Sequence, residues 1–212
     1  NGTLTIKGEG TVDNITHGKA ALYNKGTVTL NGGTFDRTKE NGKSDSSSGG
    51  NSYYTIKNVG KMTINEGVNV LTAEGNGELG RFSSLVANGY YNGTTYDNDR
   101  GVDNPTLIIN NGTFSGGLNT IKNDDRAELT INDGTFKNFY QETVQNHNIA
   151  TINGGTYKAA SDASSTGKET YGVYNCGCGA DIDLGTLTVT GGIFEGADYA
   201  IADVSSQSAI VN

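Results

Sequence analysis

Proline occurs once in this chain, cysteine twice and tryptophan not at all. Two cysteines, Cys176 and Cys178, do not make a disulfide framework. A bridge across a single residue is strained, so reduced thiols and one local disulfide both stay open. Only His17 and His147 could add soft metal ligands, and the sequence places neither beside the cysteines. Lysine and arginine never cluster, and 23 acidic against 15 basic residues leave a formal charge of −8. A nucleic-acid groove needs a basic footprint, so no nucleic-acid partner is expected. Anionic lipid is disfavoured for the same reason. No apolar run reaches the ~18 residues of a membrane helix, so no direct membrane insertion of this chain is expected. Glycine is plentiful at 32 residues but lacks the every-third-position period of collagen.

Only 33% of the residues are apolar, too few to fill one wide core, and disorder would be a rival reading at that level. The spacing of the apolar residues argues against it. One phrase recurs: TVTLNGGTF at Thr27 to Phe35, TLIINNGTF at Thr106 to Phe114, ELTINDGTF at Glu128 to Phe136, IATINGGTY at Ile149 to Tyr157 and TLTVTGGIF at Thr186 to Phe194. Weaker copies begin at Thr3 and Lys61. Within each phrase apolar and polar residues alternate, as in a strand with one buried face. Asn, Gly or Asp then turns the chain, and a second short strand starts with Thr and an aromatic residue.

Equivalent positions form a ladder: Ile6, Leu30, Ile64, Ile109, Ile131, Ile152, Val189, Ile210. Its shortest spacings cluster at 21 to 24 residues, enough for three short strands and three turns. A second ladder lies between the copies: Leu22-Tyr23-Asn24, Ile56-Lys57-Asn58, Val86-Ala87-Asn88, Ile121-Lys122-Asn123, Val144-Gln145-Asn146, Val173-Tyr174-Asn175 and Ile201-Ala202-Asp203. Its Asn positions are expected to stack in a tight turn, because Asn tolerates left-handed backbone angles and can hydrogen-bond along a stack. Two ladders in one period predict an all-β parallel β-helix of about eight coils, a solenoid whose coils bury thin apolar strips against one another. Right-handedness follows from the general crossover preference. Propeller blades and leucine-rich repeats have other periods or compositions. The chain opens and closes inside repeats, so residues 1–212 are expected to be a single β-helix domain cut from a larger protein.

Three stretches lengthen the period, at about residues 36–52, 72–104 and 159–185. The first is polar and of low complexity, with no specific role expected. The second holds Tyr90, Tyr91 and Tyr96, then Asp97, Asp99, Arg100 and Asp103. Tyrosines there can stack on sugar rings or anchor a protein partner, so with Arg100 they are the candidate ligand-binding residues. The competing reading is that they pack the insertion onto the coil flank. Asp97, Asp99 and Asp103 alternate around a glycine and can wrap oxygens about Ca²⁺, although an EF-hand loop is not matched and an ordinary solvated turn is the rival. No other cofactor is called for. The third stretch carries Cys176 and Cys178.

The phrases LTINDGTF at Leu129 to Phe136, ATINGGTY at Ala150 to Tyr157 and LTVTGGIF at Leu187 to Phe194 resemble the coils of the pectate-lyase-like superfamily of right-handed parallel β-helices. They look particularly like the Thr/Gly/Asn-rich β-helical regions of large bacterial cell-surface proteins. The resemblance implies a secreted or surface-attached module, structural or adhesive, whose partner is a glycan or a host surface protein. It also keeps an alternative open, because members of that superfamily include polysaccharide lyases and glycoside hydrolases. Lyases of this kind hold Ca²⁺ with acidic residues and use Arg or Lys as base. Arg100 and Arg126 lie near carboxylates in sequence but match no lyase motif, and hydrolysis needs two facing carboxylates, for which Asp99, Asp103, Asp124 and Asp125 are candidates. No catalytic role is assigned to any residue.

Overall fold

The computed structural model describes residues 2–16, 18–37, 54–72, 83–91, 100–159, 169–177, 184–196, 198–205 and 209–211. The strands form three parallel sheets that wind around one core. The first contains β1 (Thr3–Lys7), β4 (Thr27–Asn31), β7 (Lys61–Ile64), β10 (Thr106–Ile109), β13 (Glu128–Ile131), β16 (Ile149–Ile152), β19 (Thr186–Val189) and β22 (Ala209–Val211), in that spatial order. The second contains β2 (Thr11–Asp13), β5 (Gly33–Asp36), β8 (Val68–Leu71), β11 (Thr113–Ser115), β14 (Thr135–Lys137), β17 (Thr156–Lys158) and β20 (Ile193–Glu195). The third contains β3 (Leu22–Asn24), β6 (Ile56–Asn58), β9 (Val86–Asn88), β12 (Ile121–Asn123), β15 (Val144–Asn146), β18 (Tyr171–Asn175) and β21 (Tyr199–Asp203). Every third strand pairs with its equivalent one coil on, which is the right-handed parallel β-helix that the repeat predicts.

The registers reproduce both ladders with one correction. Ile6, Leu30, Ile64, Ile109, Ile131, Ile152 and Val189 are mutual partners along the first sheet. The last rung is Val211, not Ile210, because Val189 pairs with Val211 while Ile210 stands opposite Thr188. The register alone decides this, since Ile210 and Val211 are both exposed on that last rung. The second ladder holds throughout, Val86-Ala87-Asn88 included.

The core is built from columns. Inward residues of the second sheet stack Phe114, Phe136, Tyr157 and Phe194 at centroid distances of 4.9, 4.7 and 4.7 Å with nearly parallel rings. The separation matches the ~4.8 Å strand spacing, so one aromatic per coil at the same register stacks without distortion. The Tyr157 hydroxyl donates to the Gly154 carbonyl at 2.8 Å, which satisfies its one polar atom.

Asparagine closes the turns after the third sheet. Each buried side-chain amide donates to the next: Asn24 to Asn58 at 2.7 Å, Asn58 to Asn88 at 2.7 Å, Asn88 to Asn123 at 2.8 Å, Asn123 to Asn146 at 2.8 Å and Asn146 to Asn175 at 2.7 Å. The main chain sets the orientation of these amides. Their Nδ2 atoms also donate to the carbonyls of Lys61, Thr106, Glu128, Ile149 and Thr186, while Asn24 Oδ1 accepts the Gly26 N–H. The turn therefore satisfies its backbone and its stack together. A second, exposed ladder runs the other way: Asn65 donates to Asn31, Asn110 to Asn65, Asn132 to Asn110 and Asn153 to Asn132 at 2.6 to 2.9 Å. Coils approach so closely at Gly60 that a Cβ there would sit 2.2 Å from the Gly26 carbonyl oxygen.

The long stretches are less foreign than their length suggests. Residues 72–104 and 159–185 each contain a regular rung of the third sheet, β9 and β18. Most of the added length, before and after that rung, lies outside the described residues. The first stretch starts later than residue 36: Asp36 ends β5, and Arg37 is buried, its guanidinium donating to the carbonyls of Asn14 at 3.2 Å and Thr16 at 2.9 Å. The remainder of that stretch lies outside the described residues.

Candidate binding groove on the third sheet

Along each rung of the third sheet the apolar residue and the Asn point inward and the residue between them points out. That outward column reads Tyr23, Lys57, Ala87, Lys122, Gln145, Tyr174, Ala202. Three residues earlier on the same rungs a second column reads Tyr54, Ser84, Asn119, Glu142, Tyr171, Tyr199. Between them lies a cleft of about 170 Å³ lined by Tyr54, Ser83, Ser84, Tyr91, Leu118, Asn119, Lys122, Gln141 and Gln145. Pockets for drug-sized ligands usually exceed ~300 Å³, so this one suits a single ring or a terminal group.

Each of the two cleft tyrosines has a lysine against its ring. Lys122 Nζ lies 4.9 Å from the Tyr91 ring centre and Lys57 Nζ 5.5 Å from that of Tyr54. Lys122 also reaches Asp124 Oδ1 at 3.0 Å. Burial lowers the Lys57 ammonium below its usual range; Asp124 opposes the shift and Lys25 adds to it. From the cleft lining a polar chain runs across three coils. Ser84 Oγ donates to Asn119 Oδ1 at 2.7 Å, and Asn119 Nδ2 donates to Glu142 Oε1 at 2.5 Å. Burial pushes the Glu142 carboxyl up to about 7, with the Asn119 amide and the Lys122 charge pulling the other way.

The residues singled out from sequence divide three ways. Tyr91 is 52% exposed and borders the cleft. Tyr90 is fully buried: its hydroxyl donates to the Val102 carbonyl at 2.8 Å and accepts the Gly101 N–H at 2.9 Å. It packs the 100–102 segment onto the coil, as the competing reading had it. Its main-chain N–H donates to the Asp125 carbonyl at 3.1 Å. Arg100 and Asp103 face solvent with 3.9 Å between Nη2 and Oδ1, and are not among the residues lining the cleft. Tyr96, Asp97 and Asp99 lie outside the described residues, as does most of the acidic run expected to hold Ca²⁺. Among the described residues no three His, Cys, Asp or Glu side chains gather as a metal site. Of the remaining acids, Asp124 is paired with Lys122 and Asp125 is buried.

Tyr54, Lys57, Lys122 and Gln145 were not picked out from sequence as a site. The signal was present in the middle position of each Asn-ended triplet, which period two sends outward. Which of those rungs a tyrosine from a corner would cover was not.

No protein-family model matches the chain, and no curated protein or solved structure matches it either, so the groove is read from its own geometry.

Proposed function

We propose that this chain is a non-catalytic structural or adhesive module of a bacterial surface protein, secreted or wall-attached, and that its third sheet recognises a glycan. The observation that carries the reading is the cleft itself, two tyrosine rings flanking a floor of amides and hydroxyls. Aromatic faces take the apolar side of a sugar ring, while Asn119, Gln141, Gln145, Ser83 and Ser84 supply donors and acceptors for its hydroxyls. A host surface protein with a small polar anchor is the rival partner.

A second reading, glycoside hydrolysis, draws on Glu142, whose carboxyl is held near neutral as a general acid requires. Of the candidate partners among the described residues, Asp124 is engaged by Lys122. The Glu142 side chain also lies beneath the cleft rather than in its lining.

The test is a glycan-array screen of the purified chain in millimolar Ca²⁺, repeated with EDTA, alongside Tyr54→Ala and Tyr91→Ala. Binding to one glycan class that falls at least tenfold in either variant supports the reading. Loss with EDTA would bring Asp97, Asp99 and Asp103 into it. Absence of binding in both buffers overturns glycan recognition, and release of reducing ends from a bound glycan overturns the non-catalytic part.

A further inference from the structure

The chain has two histidines and two cysteines. The fold brings one of each together: Cys176 Sγ lies 3.6 Å from His147 Nε2. The pairing follows from the coil register. In every coil the residue after the ladder Asn donates its N–H to the preceding ladder Asn carbonyl, as Asp124 does to Asn88 at 2.7 Å, His147 to Asn123 at 2.8 Å and Cys176 to Asn146 at 2.8 Å. An acid, an imidazole and a thiol therefore occupy three successive rungs of one column, with the coil rise of ~4.8 Å between rungs. The flanking rungs are Gly89 and Val204, which carry no such chemistry. Asp124, His147 and Cys176 are 3%, 7% and 1% exposed, so the column is shielded from bulk solvent.

The geometry points to Cys176 as a modification site, a thiol activated by His147 and selective for small uncharged oxidants of the peroxide class. The imidazole accepts the thiol proton. The sulfur attacks one peroxide oxygen, the O–O bond breaks, and the leaving hydroxide or alkoxide takes the proton back from the imidazolium. The products are a Cys176 sulfenic acid and one water or alcohol, with sulfur oxidised by two electrons and the peroxide reduced by two. Asp124, one rung from the imidazole, is held by Lys122. A metal cage is the poorer fit, because no third ligand joins the pair among the described residues. Burial supplies the selectivity, because it keeps a bulky anionic disulfide reagent from the sulfur.

The experiment uses the full chain with Cys178→Ala, which leaves Cys176 as the only thiol. Hydrogen peroxide is added with a sulfenate trap, and labelling is followed by mass in native buffer and in unfolding urea. Burial alone would make the folded thiol the slower one. Activation by His147 should make it about tenfold faster than the unfolded thiol, since an ordinary thiol is only a few per cent ionised at neutral pH. His147→Ala, with its thermal unfolding checked, should drop the folded rate to the unfolded value or below. His147→Gln carries the same test if the alanine variant does not fold. A folded rate no higher than the unfolded rate, or one that removal of the imidazole leaves unchanged, overturns the proposal.

Discussion

Asn175 donates its side-chain amide to the carboxylate of Asp203 at 2.9 Å, and there the inner ladder passes from residues that donate and accept to one that only accepts. Asp203 Oδ1 takes the Ser205 N–H at 3.2 Å as well. A carboxylate serves on this rung because nothing further along the described ladder requires a donor from it. In the interior the same residue would fail.

Asn123 sits mid-ladder and donates to Asn146 Oδ1 and to the carbonyls of Ile149 and Ala127 at 2.8, 3.0 and 3.2 Å. Asn123→Ala leaves these buried acceptors short of a donor and should cost about 2–4 kcal/mol in urea unfolding. Asn123→Asp should cost more than alanine at pH 7, since its charge would face three oxygens. Its folded carboxyl would titrate above the unfolded one, so stability is present at low pH and lost as pH rises. The aspartate variant should recover toward pH 4, and the alanine variant should not.

Glu142 makes the native protein itself pH-dependent. Its carboxyl rises from the usual 4.5 to about 7 in the folded state. Between those values the native state holds the proton more tightly than the unfolded chain. The contribution is complete below 4.5, declines as pH rises, and is gone above 7, a change of about 3 kcal/mol at most. Glu142→Gln keeps an acceptor for the Asn119 amide. Urea unfolding at pH 5 and pH 8 should show a wild-type loss that the glutamine variant lacks, with the variant the more stable at pH 8.

Phe136 lies between Phe114 and Tyr157 with no exposed surface. Phe136→Ala opens a cavity in the middle of the aromatic column and should lower stability by about 3–5 kcal/mol. Phe136→Leu fills most of that volume and should cost clearly less, read from chemical denaturation midpoints at constant slope.

Tyr90→Phe removes only the hydroxyl that holds Gly101 and Val102. A loss of about 1–3 kcal/mol is expected, together with faster amide hydrogen exchange at Gly101. Glycan binding at the cleft should be retained, because the side chain lies beneath the surface. Loss of binding with unchanged exchange would contradict this placement.

The solenoid was legible because its information is local and repeated. Alternating residues such as Leu129 and Ile131 name a buried strand face, and Asn123 and Asn146 recur at the same step from Ile121 and Val144. Parallel in-register stacking then leaves little choice of partner. The end of the chain shows the limit: a three-residue strand without a following turn carried no mark to distinguish Val211 from Ile210, and pairing with Val189 settled it.

The candidate site was not legible in the same way. Sequence alone determined that the middle residue of each Asn-ended triplet faces outward, and hence that Lys57, Lys122 and Gln145 share one surface. It could not tell that Tyr90 turns inward while its neighbour Tyr91 covers Lys122, because both belong to a corner with no repeat to set its register. Nor could it place His147 beside Cys176. Those residues are far apart in the chain, and their contact exists only because the coils close in register on the Asn ladder, with His147 and Cys176 following Asn146 and Asn175. Periodicity decides which residues stack; the corners, where periodicity lapses, decide what the stack presents.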